Sequence, residues 1–408
     1  AKSITLSDQA CSALGIDGRQ FTPAELVQQL LRAPVDLLYN GGIGTYIKAS
    51  RQNHSEANDR TNDNLRINAS ELRCKVITEG GNLGLTQAAR VEYALNGGRI
   101  NTDAIDNSGG VDCSDHEVNI KILLAGLVGR GDMTGKQRDA LLASMTDVVG
   151  SLVLADNYQQ TQAISLEAAA GAELLEVHAR LIRSLEAKGA LHRGIEFLPD
   201  DKGLAERAQQ TRGLSAPEIS VLRAYVKITL KETILGSPLP DSEDVYELLV
   251  NYFPPALLEH CSELLSAHPL KREIIATQLV NRLVNRMGTT FVIQVSEETA
   301  ASPAQVAAAW YATSRVLDAE TLWRDLESMD LVLDAEKLQR KAQQHGEDPY
   351  NTRFYRRVRA SIEWALHHRW LVIAATLIAF AAALAGLVFG VQKQFFPASN
   401  RPELLVDL

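Results

Sequence analysis

Three short apolar runs, each closing on a turn rich in glycine and asparagine, constrain this chain more than any other feature. They are Val35-Asp36-Leu37-Leu38-Tyr39 before Asn40-Gly41-Gly42, Lys75-Val76-Ile77-Thr78 before Glu79-Gly80-Gly81-Asn82, and Ile100 to Ile105 before Asp106-Asn107-Ser108-Gly109-Gly110. Runs of this length, bounded by turn residues, read as strands buried on both faces. After the second and third turns the pattern returns to helix, which predicts a parallel sheet with crossover helices. Ligands of such sheets bind at the carboxyl ends of the strands. Glycine lets backbone approach a ligand closely, and asparagine offers both a donor and an acceptor. The three turns are therefore one candidate site, and tight turns without a ligand are the plainer alternative.

From about residue 150 to 333 the texture is helical. Thr22-Pro23-Ala24-Glu25 already opens one helix in the first region, with a capping residue, Pro at the first helical position and Glu closing a capping box. Ser215-Ala216-Pro217-Glu218 opens another that runs to Gly236, and Ser302-Pro303-Ala304-Gln305 a third. Between Lys271 and Val295, Ile274, Ile275, Leu279, Leu283 and Met287 share one side. Asn281, Arg282, Asn285 and Arg286 interleave with them and read as a solvated or helix-bridging stripe.

The tail changes character again. Residues 334–370 are basic, with Arg353, Arg356, Arg357, Arg359 and Arg369. Residues 371–391 then carry no charge, which is long enough to span a bilayer as a helix. The basic flank and Trp364 and Trp370 place its N-terminal side in the cytoplasm. The chain opens AKSITLSDQA without Met and closes PELLVDL, so both ends read as cut.

Several chemistries find no support. A net charge of -9 gives no electrostatic footprint for nucleic acid. The four cysteines, at 11, 74, 113 and 261, form no CxxC pair, and their sparseness fits a reducing compartment. There is no GxGxxG fingerprint, P-loop, HExxH or GxSxG. His116 and Glu117 are adjacent and point apart on a helix, and His260, Cys261 and His268 lack a matching pair, so no metal is expected.

The stretch VDLLYNGGIGTYIKAS, followed by KVITEGGNLGLTQAARVEYALNGGRINTDAIDNSGGVDCSDHEVNIKILL, resembles the large bacterial NAD-specific glutamate dehydrogenases. APEISVLRAYVKITL and QLVNRLVNRMGTTFV resemble their C-terminal part, so the resemblance covers residues 1–333. It implies an α/β partial Rossmann-like nucleotide domain over 1–150, a helical domain over 151–333, NAD as cofactor and L-glutamate or 2-oxoglutarate as substrate. It also implies a cytoplasmic homo-oligomer for the intact enzyme. The family's EGAN motif looks like Glu79-Gly80-Gly81-Asn82, which implies cofactor contacts at Asn82 and Gly81. Its NAGGVxxS motif looks like Asn107 to Ser114, which implies nicotinamide-side and substrate roles for Asn107 and a substrate carboxylate contact for Ser114. Asn40, Gly41 and Gly42 follow as cofactor-lining by position. The family's catalytic Lys and Asp and its Gly-rich pyrophosphate turn lie upstream of this segment, so no catalytic residue is assigned and the chain is expected to be inactive alone. A parallel sheet lacking its first strands would also expose an unpaired edge and favour aggregation.

Residues 338–408, with YNTRFYRRVRASIEWALHHRWLVIAATLIAFAAALAGL, resemble instead an efflux pump of the resistance–nodulation–division family, with 392–408 as the start of a porter-like segment. That resemblance implies a chimeric joint near residue 335, and an inner-membrane location if the tail is genuine.

Overall fold

A computed structural model describes residues 2–328. Residues 1–318 form one compact unit, and helix α16 (Ala319–Ser328) belongs to a second.

Among the described residues, six short strands all lie in the first eighty positions. Strands β1 (Ile4–Thr5) and β2 (Gln20–Phe21) pair antiparallel around helix α1 (Asp8–Leu14). Helix α2 (Pro23–Leu31) starts as expected, with the Thr22 side chain accepting from the Glu25 N–H and Glu25 returning to the Thr22 N–H. Strands β3 (Leu37–Asn40) and β6 (Val76–Glu79) pair parallel, Leu37 opposite Val76 and Asn40 opposite Glu79, so the first two turns emerge side by side. Strands β4 (Ile47–Lys48) and β5 (Ile67–Asn68) form a second parallel pair. A small apolar core of Ile47, Ile67, Ile77, Leu85, Tyr93 and Ile100 lies under them, closed by helix α3 (Gln87–Leu95).

The expected α/β partial Rossmann-like domain followed by an all-α region and one transmembrane helix is corrected here. The described chain is predominantly helical, and its strands occur only as three two-stranded pieces. The chain makes one isolated parallel bridge to Val76 at Arg99, and the third expected strand, Ile100 to Ile105, does not form. The chain turns instead into the short helix α4 (Asp103–Asp106). Two aspartates tie this turn to the preceding one. Asp106 Oδ2 accepts from the Glu79 N–H at 3.0 Å and Asp103 Oδ2 from the Leu83 N–H at 2.7 Å. Among the described residues no helix is long and apolar enough to cross a membrane. The expected segments 334–370, 371–391 and 392–408 lie outside the described residues.

The remaining helices build a bundle. They are α5 (Ser108–Arg130), α6 (Gly135–Ser144), α7 (Thr146–Ala170), α8 (Leu175–Ala187), α9 (Asp201–Gln209), α10 (Ala216–Leu235), α11 (Tyr246–Tyr252), α12 (Pro255–Cys261), α13 (Lys271–Met287), α14 (Phe291–Thr299) and α15 (Pro303–Val316). Helices α10 and α15 open on the capping boxes read from sequence. Helix α10 lies at the centre, against α13, α7, α15 and α3, with Ile219, Leu222 and Ile234 fully buried. Helix α7 runs unbroken through residue 150, where the sequence texture changes. A buried polar knot ties α7, α8 and α10 to the end of α13 and the turn after it, Arg223 Nη2 donating to the Val284 carbonyl at 3.0 Å. Glu167 accepts from Arg223 Nη1 at 3.0 Å, from the Thr289 N–H at 3.1 Å and from Thr289 Oγ1 at 2.5 Å, with His178 Nε2 3.4 Å away. Burial raises the Glu167 carboxyl, but these partners outweigh it and hold its pKa below the usual value.

Candidate functional site

The second strand-end turn is a rigid piece of backbone. Glu79 is fully buried and receives Arg90 Nε at 2.7 Å and Arg90 Nη2 at 2.9 Å, while Arg90 also reaches Asp103 at 3.2 Å. The Leu85 N–H adds a bond to Glu79 Oε1 at 3.2 Å. The carboxylate read from sequence only as part of a turn motif is thus the anchor of that turn. Gly81 is demanded by close approach, since a Cβ there would lie 2.6 Å from the Gly42 carbonyl oxygen. The turns after β3 and β6 therefore touch, as parallel pairing predicts.

The third turn joins the second through side chains. Asn107 Nδ2 donates to Asn82 Oδ1 at 3.1 Å. Both amides stand at the rim of a cavity of about 670 Å³, at the N-terminal end of α5. The other expected residues are placed differently. Asn40 and Gly42 line a separate, mostly apolar cavity of about 340 Å³ with Leu31, Leu38 and Tyr46. Gly41 is exposed. Ser114 is also exposed, donates to the Gly110 carbonyl at 3.2 Å and does not line the larger cavity. Lys48 and Lys75 do not line it either. Lys48 is buried against Asn68, and Lys75 pairs with Asp36 at 2.7 Å on the surface.

The deeper wall of the larger cavity comes from helices, and none of its residues was proposed as a site residue from the sequence. Asp112 from α5, Asp156 and Gln160 from α7, Arg223 and Lys227 from α10, and Asn281 and Asn285 from α13 converge there. The stripe read as solvated or helix-bridging thus supplies two amides to a cavity. Burial pushes the Asp156 carboxyl up to about 6, and the neighbouring Asp112 charge adds to it. Burial likewise holds the Lys227 ammonium down at about 7, with the like charge of Arg223 second. Lys227 Nζ donates to Gln160 Oε1 at 2.9 Å.

Among the described residues, buried side-chain atoms without a hydrogen-bond partner gather at this wall. They include Asp112 Oδ2, Asn119 Oδ1, Arg223 Nε and Asn285 Oδ1, all on lining residues, and His116 Nδ1 beside them. Buried polar groups are almost always paired, so such a concentration marks a place built for something other than packing. Chemically the wall offers a carboxyl and an amine that change charge near neutrality, which suits proton transfer and the binding of a charged, hydrogen-bonding ligand.

Comparison with known proteins is consistent with the resemblance over most of the chain. Residues 1–167 match the family model for the bacterial NAD-glutamate dehydrogenase catalytic domain, and residues 211–399 match that for the glutamate dehydrogenase C-terminal region. The NAD-specific glutamate dehydrogenase of Pseudomonas aeruginosa is 50% identical over 336 residues, covering 82% of this chain and 21% of its own length. That of Halomonas elongata is 46% identical over 330 residues, covering 81% and 20%. That of Mycobacterium tuberculosis is 46% identical over 336 residues, covering 81% and 21%. The chain spans about a fifth of the length of these curated relatives. The C-terminal match runs to residue 399, through the stretch that resembles an efflux pump, and none of these matches is to a pump. These matches give no support to the pump segment or to a chimeric joint near residue 335.

Proposed function

The chain belongs to the bacterial NAD-specific glutamate dehydrogenase family, and from that premise we propose that it forms the nicotinamide-side wall of the enzyme's reaction site. The reaction is the oxidative deamination of L-glutamate to 2-oxoglutarate and ammonia, with hydride passing to NAD. The observation that carries this reading is the Asn107–Asn82 contact at the mouth of the larger cavity. Hydride transfer needs the ring carbon of the nicotinamide held against the substrate carbon, and the protein's part is orientation and electrostatics. Two neutral amides can grip a carboxamide and ribose edge without placing charge beside the ring. Gly81 lets backbone come close at the same edge, and Asn40, Gly41 and Gly42 are kept as cofactor contacts by position on the adjoining turn, with Asn40 and Gly42 lining the neighbouring cavity. Asp112, Asp156 and Lys227 lie on the far side of the cavity, where the substrate's charges would face them. Ser114, exposed on α5 and outside the cavity lining, keeps the substrate-carboxylate role only as the resemblance implies it.

The cofactor is NAD, as the family's specificity implies. The chain alone is not expected to turn over, because the family's catalytic Lys and Asp motif is absent from its 408 residues. The intact enzyme is proposed to be a cytoplasmic homo-oligomer. Exposed apolar side chains on α5 and α7, Val111, Val118, Leu154 and Leu166, support that assembly. Light scattering on the intact enzyme tests it, and a monomer at micromolar concentration contradicts it.

The reading is tested by titrating NAD into the purified chain while following intrinsic fluorescence. Asn107→Ala and Asn82→Ala are each expected to weaken binding about fivefold, the worth of one hydrogen bond of roughly 1 kcal/mol. Unchanged binding in both variants contradicts the assignment. Glutamate-dependent NADH formation by the chain alone contradicts the expectation of inactivity.

A further inference from the structure

We propose that Asp112, His116 and Asp156 form a binding site for one divalent transition-metal ion of the zinc class. Asp112 and His116 lie one turn apart on the same face of α5. Asp156 faces them from α7, which packs against α5. One ligand atom from each residue lies within 4.8 Å of the other two. Carboxylate oxygen and imidazole nitrogen bind zinc at about 2.0–2.2 Å, so a shift of about an ångström per side chain closes the set around an ion.

His116 is the second, independent observation. It is 2% exposed, yet Nδ1 has no partner and Nε2 comes no nearer than 3.9 Å to Asp112 Oδ1, too far for a hydrogen bond. The ring is stacked on Tyr252, with centroids 4.4 Å apart and planes 13° from parallel, which fixes its plane. Asp112 Oδ2 is also buried and unpartnered. Two carboxyl groups this close require a proton or a cation between them. Lys227 is the nearby ammonium, but it donates to Gln160 and forms no ion pair with either carboxyl among the described residues. An imidazole in the set selects zinc-like ions over magnesium or calcium, whose ligands are oxygens. Asp112 and Asp156 also line the 670 Å³ cavity, so an ion held there keeps a position open to a small carboxylate or water.

This inference does not depend on the dinucleotide reading, because its test needs no NAD. The full chain, stripped with a chelator, is titrated with zinc alone by calorimetry and with cobalt(II) alone by visible absorption. One equivalent is expected, with Asp156→Asn and Asp112→Asn each weakening it by at least about tenfold. Cys113→Ser, at the exposed thiol of α5, is expected to leave it unchanged. X-ray absorption of the wild-type zinc complex covers the case in which a variant does not fold. It should show nitrogen and oxygen neighbours only, one of them an imidazole. Stoichiometric binding that survives both aspartate variants, a sulfur neighbour, or no binding below millimolar zinc overturns the proposal.

Discussion

Two regions of this chain each bury a glutamate against an arginine, and they do so to different ends. At the strand-end turns, Glu79 depends on Arg90 for two of its bonds and on one backbone N–H for the rest. In the helical bundle, Glu167 has Arg223 and also both donors of Thr289 and the His178 ring. The first pair is a single pin that holds a turn in place and leaves the amides of Asn82 and Asn107 free to face the cavity. The second is a redundant knot at the back of the cavity, and its arginine keeps a free Nε on the cavity side. Rigidity is concentrated behind the site in both cases, and unmet hydrogen-bonding capacity is concentrated at its wall.

Breaking the pins should therefore separate the two regions. Arg90→Met leaves a fully buried carboxylate nearly alone and is expected to cost about 3–5 kcal/mol. Arg223→Met leaves Glu167 with three other donors and is expected to cost less, about 1–3 kcal/mol. Urea unfolding of both variants checks the order, and equal losses would erase the distinction. Gly81→Ala sharpens it at the backbone. The added Cβ meets the Gly42 carbonyl, so the two turns must part at a cost of about 1–3 kcal/mol, and NAD binding should weaken with no change in the bundle's helical circular dichroism.

Acid gives the smallest effect of this series. The Glu167 pKa is lowered on folding, so its contribution is present above the unfolded value near 4.5 and is lost as pH falls through the folded one. Stability measured from pH 6 to 3 should fall in the wild type, and the fall should be shallower in Glu167→Gln. An unchanged acid slope in that variant contradicts the role given to the knot.

Local signals carried what the sequence could reveal. The capping boxes at Thr22, Ser215 and Ser302 rest on residues three apart, and the parallel pairing of β3 with β6 rests on two clear apolar runs. Ile100 to Ile105 misled because its apolar ends outweighed Asp103 and Asp106, whose carboxylates bind backbone donors far along the chain. Asn82 and Asn107 were within reach because each stands in a Gly-rich motif that the family resemblance covers. The far wall could not be read in this way. Asp112 and Asp156 are 44 positions apart, Lys227 comes from a third helix, and the Asn281–Asn285 stripe has the same spacing as a solvated face. Only the packing of α5, α7, α10 and α13 brings them together, and no short-range pattern encodes that packing.

The most direct measurement for the central claim is saturation-transfer difference NMR of NAD with the full chain. The account predicts that the nicotinamide protons receive more saturation than the adenine protons, and that Asn107→Ala abolishes the difference. Stronger saturation at the adenine end, or a nicotinamide signal indifferent to Asn107, would contradict it.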